Sequence, residues 1–229
     1  MSKYPALPKF KAVVFDMDGV LIDSETFYTK QEARIFRELG LNISAEEHIT
    51  YQGTATYDMW KKIKVNHTLP QSAEDLARLC EMDTINEYRK MEKMVTMPYV
   101  RELIQALHDN GYPLALATSS TPGVVDLVLQ KTGLKTYFRE VVDSSMTNGN
   151  SKPKPDLFIL AAGKLGVDPS YCLAIEDSTN GIKAAKLAGM YCIAYNGPGA
   201  EHQDQSEADW IIDDYRQITN YLSESKSTG

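Results

Sequence analysis

From residue 100 onward, short apolar runs alternate with helix-like stretches, and few folds accommodate such a series. The segment 100–110 has a helical pattern closed by Gly111, and Leu114–Ala117 reads as a buried strand. A helical stretch over 123–132 ends at Gly133, and 140–143 reads as a strand. The stretch 155–165 is helical and stops at Gly166, 171–175 is strand-like, and 181–188 is a helix ending at Gly189. Tyr191–Tyr195 and 210–213 complete the strands before a terminal helix around 215–222. An earlier strand, Ala12–Phe15, opens the series. Repeated β-α alternation predicts an α/β fold with a parallel sheet covered by helices on both faces.

Between about residues 26 and 97 the pattern changes. This stretch is rich in Glu, Lys, Arg, Met and Leu and poor in strand-like runs, so it reads as a helical unit. It interrupts the β-α series after the first strand, which predicts an inserted cap, with 1–25 and 98–229 forming the core. At 229 residues the chain suffices for such a pair. A formal net charge of −7 argues against general affinity for nucleic acid or anionic membranes. Three distant cysteines give no disulfide framework, and no apolar run approaches membrane-spanning length, so a cytoplasmic protein is expected, and a small cap that leaves the core's outer surface free favours a monomer.

Ligands of open parallel sheets bind at the carboxyl ends of the strands. The polar residues found there are Asp16-Met17-Asp18-Gly19, Thr118-Ser119-Ser120 and Glu176-Asp177-Ser178, with Ser151-Lys152-Pro153 just before a helix. Asp16 and Asp18 are two apart, so extended backbone points both to one side. With Glu176 and Asp177 they form an oxygen-rich cluster suited to Mg²⁺, without which the carboxylates would repel one another. Thr118, nearby backbone N–H groups and Lys152 are placed to hold phosphate oxygens. Asp16 as nucleophile would form an aspartyl-phosphate, and Asp18 would protonate the leaving oxygen and then activate water.

The segments FDMDGVLIDSE, Thr118-Ser119, Ser-Lys-Pro-x-Pro-Asp at 151–156 and Ile-Glu-Asp-Ser-x-x-Gly at 175–181 resemble the four signatures of the haloacid dehalogenase superfamily. Their order and spacing are similar to the subgroup containing β-phosphoglucomutase and sugar-phosphate phosphatases. The resemblance implies a Rossmann-like, doubly wound core with a small helical cap after the first strand. It implies Asp16 as nucleophile and Asp18 as acid/base, with phosphoryl oxygens held by Thr118, Ser119 and Lys152. It also implies a metal held by the Asp16 side chain, the Asp18 carbonyl and Asp177, with Glu176 in support. Dehalogenases proper lack the second Asp, so Asp18 favours phosphate chemistry.

The mutases of this subgroup carry a His in the first cap helix and an Arg in a cap loop. Here Tyr28 stands at the His position, and the loop 51–56, with Gln52, Gly53 and Thr54 as candidate substrate contacts, contains no Arg. A loop without a cation is poorly equipped for a second phosphate, which favours hydrolysis of a small phosphorylated substrate over mutase chemistry. Hinges are expected near 24–27 and 96–99. The four histidines form no metal-ligand spacing and are expected on solvated faces or loops. Met82, Met91, Met94 and Met97 are expected in packing, and the run 61–64, Lys-Lys-Ile-Lys, on a solvated face.

Overall fold

The computed structural model describes residue 5 and residues 7–51 and 54–227. Among them, six strands form one sheet in the order β3-β2-β1-β4-β5-β6. These are β1 (Ala12–Phe15), β2 (Leu114–Ala117), β3 (Glu140–Val142), β4 (Cys172–Glu176), β5 (Tyr191–Tyr195) and β6 (Trp210–Ile212). Every neighbouring pair is parallel, with Val14 opposite both Ala115 and Ala174. The chain winds outward from β1 in both directions, so β1, β2 and β4 lie side by side and their carboxyl ends share one edge.

Alternation along β1 divides the interior into two layers. Val13 and Phe15 face α5 (Val100–Asp109), α6 (Pro122–Thr132) and α9 (Arg216–Ser227), in a layer that includes Leu103, Val128 and Ile218. Ala12 and Val14 face α7 (Asp156–Leu165) and α8 (Thr179–Leu187), where Ala161, Ala162, Ala184 and Ala185 let the helices approach closely. Strands buried on both faces have no polar alternation to display, which is why they read as continuous apolar runs.

Between β1 and β2 the chain forms α1 (Glu25–Glu38), α2 (Ala45–Ile49), α3 (Thr56–Asn66) and α4 (Ala73–Lys90). These helices enclose their own apolar cluster, in which Ile35, Trp60, Ile63 and Leu76 are buried. The start of α4 is set by Ser72, whose hydroxyl accepts the Asp75 N–H at 3.0 Å, and acidic and basic residues complement its two ends. The two segments joining this unit to the sheet pair with each other: Ile22 bridges Thr96 in antiparallel fashion, and the Met97 N–H donates to the Leu21 carbonyl at 2.8 Å.

Three expectations need correction. Helix α1 already begins at Glu25, so most of the expected hinge at 24–27 is regular helix. Met82 is exposed, whereas Met94 and Met97 are buried. Two histidines are half-buried and paired rather than fully solvated: His48 Nε2 lies 2.6 Å from Glu32, and His67 Nε2 lies 2.9 Å from Glu47, both within the helical unit. Among the described residues no helix is long and apolar enough to cross a membrane.

Candidate active site

The carboxyl edge of the sheet faces the helical unit across a cavity of about 560 Å³. Asp16 leaves β1 into this space, Met17 turns back into the core, and Asp18 returns to the cavity. A tight turn follows, with the Gly19 N–H donating to the Ile22 carbonyl at 2.9 Å. Gly19 has φ +74°, and a Cβ there would fall 2.0 Å from Asp177 Oδ2. The glycine therefore supplies both the turn and the room for a carboxylate arriving from the end of β4.

Lys152 is nearly buried and makes ion pairs with two carboxylates, Asp16 and Glu176, the latter at 2.5 Å. Burial works against its charge, yet the two carboxylates hold its pKa above the ordinary range. Both Glu176 oxygens are engaged: Oε1 by Lys152, and Oε2 by the N–H groups of Asp177 and Ser178 and the Ser178 hydroxyl. Glu176 is fully buried at the end of β4 and acts as a bracket between the lysine and the Asp177 loop.

Oxygens of Asp16, Glu176 and Asp177 lie within 4.8 Å of one another. Burial, opposed by Lys152 and reinforced by Glu176 and Asp18, pushes the Asp16 carboxyl up to about 7. Burial and then Glu176 push Asp177 well above the carboxylate range. Three buried carboxylates facing one lysine leave an excess of negative charge, and an oxygen donor set of this kind fits a hard divalent cation.

On the β2 side, Thr118 is buried, its N–H donates to the Val142 carbonyl, and its Oγ1 accepts the Ser120 N–H at 3.0 Å. The Thr118 hydroxyl proton is left to point at a ligand. The Ser120 hydroxyl donates to Asp18 Oδ2 at 2.6 Å, and Asp18 Oδ1 is buried with no protein partner. Opposite, the helical unit presents Glu25, Glu32, Asp58, Glu74 and Glu81. Burial and the nearby Asp18 and Glu32 push the Glu25 carboxyl up to about 7. Among the described lining residues the basic side chains are Lys152, already paired, and Arg78, which is mostly exposed and paired with Asp75 at 3.0 Å.

A family model for haloacid dehalogenase-like hydrolases matches residues 10–189, most of the chain and every element that borders the cavity's core side. The chain belongs to this family. The hydrolase is 35% identical over 213 residues to a probable pseudouridine-5'-phosphatase of Drosophila melanogaster, covering 90% of each chain. It is 31% identical over 196 residues to hexitol phosphatase B of Escherichia coli (strain K12), covering 83% of this chain and 86% of that one. Its fold superimposes with a TM-score of 0.81 on CbbY from Rhodobacter sphaeroides, solved with xylulose-(1,5)bisphosphate; the two are 25% identical, with 91% and 96% of the chains covered.

Of the residues singled out in the hydrolase sequence, Asp16, Asp18, Tyr28, Thr54, Thr118, Ser119, Lys152 and Asp177 line the one cavity. Glu176 lies beneath its floor rather than in its lining. Gln52 and Gly53 fall outside the described residues. Sequence reasoning passed over Ser120 as a side chain with a task, although it sits in the same polar run as Thr118. It also passed over Glu25 and Glu32. Their signal is weak, because a Glu on a helix in a charged segment reads as a solvated face.

Proposed function

We propose that this hydrolase is a divalent-metal-dependent phosphatase that cleaves a small, hydroxyl-rich monophosphate, in the manner of a sugar phosphate, through an aspartyl-phosphate on Asp16. The observation that carries this reading is the pairing of two carboxylates at one cavity. Asp16 is oriented by Lys152, and Asp18 is held through one oxygen while the other has no protein partner. Dehalogenation would need only the first; the second suits a leaving oxygen that requires a proton. The relatives named above include phosphatases of pseudouridine 5'-phosphate and of hexitol phosphates, in line with this reading.

Asp16 attacks phosphorus while Thr118, Ser119 and Lys152 hold the phosphoryl oxygens. Asp18 donates a proton to the departing oxygen, then accepts one from the water that opens the aspartyl-phosphate. Asp16, Asp177 and the Asp18 carbonyl would hold Mg²⁺, which when bound neutralises the carboxylates and the phosphoryl charge so that two anions can meet. Glu176 supports this arrangement from below through Lys152 and the Asp177 loop.

The acidic wall of the helical unit favours hydrolysis over phosphosugar mutase chemistry. A mutase must seat a bisphosphate intermediate, and a second phosphate here would meet five carboxylates with no uncommitted cation among the described lining residues. Sugar and polyol hydroxyls, by contrast, donate to carboxylates. Phosphate release from a panel of sugar, polyol and nucleoside monophosphates is expected only with Mg²⁺, and Asp16→Asn should lower it at least about a thousandfold while keeping the fold. Retained activity in Asp16→Asn would refute the nucleophile assignment. Conversion of β-glucose 1-phosphate to glucose 6-phosphate without free phosphate would make the protein a mutase.

A further inference from the structure

The carboxylates that the helical unit presents to the cavity are not equivalent. Glu32 Oε2 lies 2.6 Å from His48, Asp58 pairs with Lys61 at 3.2 Å, and Glu74 accepts the Tyr57 hydroxyl at 3.0 Å. Among the described lining residues, the side chains of Glu25 and Glu81 make no hydrogen bond or ion pair. Glu81 reaches toward the far side, where its Oε1 stands 4.0 Å from the place of a Cβ on Gly123, in the first turn of α6. Glu25 is the uncommitted carboxylate at the sheet edge.

Backbone geometry fixes where it stands. The turn at Gly19 brings Ile22 back to a bridge with Asp18, the Ser24 N–H donates to the Ile22 carbonyl at 3.1 Å, and α1 begins at the next residue, Glu25. Two successive tight turns thus return the chain to the side of Asp18. The stem of Glu25 is held from the other direction. Gly199 has φ +89°, and a Cβ there would fall 2.7 Å from Glu25 Cβ and 2.9 Å from Cγ, so the glycine leaves a slot that Glu25 fills. Gly199 belongs to the same segment as Gln205, whose amide donates to the Asp177 carbonyl at 2.7 Å. Ser24 gives α1 no side-chain cap, and the half-buried Glu25 complements the positive end of the helix. The upward shift of its carboxyl, owed to burial and then to Asp18 and Glu32, agrees with this placement.

We infer that Glu25 is a specificity-determining residue for the part of the leaving group next to the ester. The substrate class it selects is a monophosphate with a free hydroxyl on the second or third carbon from the ester oxygen and no anion there. The inference rests on the phosphatase reading. Asp18 must reach the leaving oxygen, so the first carbons of the leaving group lie beside Asp18 and in front of Glu25. An ionised carboxylate offers lone pairs and no proton. A hydroxyl at that place donates to it, an alkyl chain strips it of water and gives nothing back, and a second carboxylate meets like charge. Polyol and sugar phosphates meet the requirement, whereas phosphate esters of hydroxy acids meet repulsion.

The test compares kcat/KM for three esters of one size: glycerol 3-phosphate, propyl phosphate, which lacks the hydroxyls, and 3-phosphoglycerate, which carries a carboxylate on the third carbon. The wild-type protein should prefer glycerol 3-phosphate to both. Glu25→Ala should shrink its preference over propyl phosphate by about 10–100-fold, the value of a hydrogen bond to a charged group. Glu25→Gln, which keeps an acceptor but removes the charge, should retain part of that preference and improve 3-phosphoglycerate relative to glycerol 3-phosphate by about tenfold. The Mg²⁺ concentration for half-maximal activity should stay the same, and thermal unfolding of each variant checks the fold. Equal losses for all three esters, no loss, or a raised Mg²⁺ requirement as the sole effect would overturn the inference while leaving the phosphatase reading intact. A wild-type protein that releases phosphate from none of them at any Mg²⁺ concentration would instead remove the reading on which the inference rests.

Discussion

Two glycines fix where the charges of this site can stand. A Cβ at Gly19 would lie against the Asp177 carboxylate, and one at Gly181, in the first turn of α8, would fall 1.8 Å from Glu176 Oε1. Gly181 has ordinary helical backbone, so its role is space alone. It lets a buried glutamate lie under α8 and reach Lys152. Gly181→Ala is expected to push Glu176 aside and destabilise the protein by about 1–3 kcal/mol through overpacking. Lys152 would move with it, and displacement of such a group by about an ångström lowers turnover on the order of 100-fold. Chemical denaturation and steady-state kinetics on the same variant would check both effects. An alanine variant with native stability and turnover would show that Glu176 has room to shift.

At the scale of elements, the segment after β5 has a structural part that its composition hides. Residues 196–206 form no helix or strand, yet Gln205 is buried, and its side-chain amide donates to the Asp177 carbonyl at 2.7 Å and the Tyr195 carbonyl at 3.0 Å. Gln203 accepts the Thr179 N–H at 2.9 Å. The segment therefore braces the loop that carries Asp177. Gln205→Ala should cost about 1–3 kcal/mol, because two carbonyls lose their buried donor. It should also weaken Mg²⁺ binding, measured by calorimetric titration. Unchanged metal affinity would confine Gln205 to a structural part.

The sheet was legible because its strands are buried on both faces and bounded by Gly, Pro and small polar residues: predicted and observed strands coincide, or differ by about one residue at an end. The polar residues at the strand ends were legible for the same reason, since topology alone sends them to one edge. Ser120 and Gln205 were not, because their tasks arise from contacts with Asp18 and with the Asp177 carbonyl, which lie far from them in sequence. The half-buried pairs His48–Glu32 and His67–Glu47 were hidden likewise: a helical period reports which face is apolar, not which polar residue finds a partner.

Across the whole molecule, the cavity concentrates carboxylates that fold at a cost when no cation is bound. Asp16 is raised to about 7 and Asp177 well above its ordinary value, both chiefly by burial. The folded metal-free protein therefore holds these protons more tightly than the unfolded chain, whose carboxyls titrate near about 4. Stability from this source is complete below that pH and is lost as pH rises through about 7. In chelator, the melting temperature should fall between pH 5 and pH 8, and Mg²⁺ should raise it more at pH 8 than at pH 5. A flat metal-free profile, or equal stabilisation at both pH values, would contradict this account.

The pairing of Ile22 with Thr96 and of Leu21 with Met97 brings the entrance and exit of the helical unit to within one hydrogen bond of each other. The ends of a long excursion are thereby closed at the sheet before the helices contribute anything. Such an insertion is modular: a unit of different length or chemistry can be exchanged at these two points without altering strand order or the position of Asp16. Selection on substrate range can then act on the helices while the phosphate chemistry stays fixed, and a chimera joined at 23 and 95 inherits its leaving-group preference from the donor of the helices.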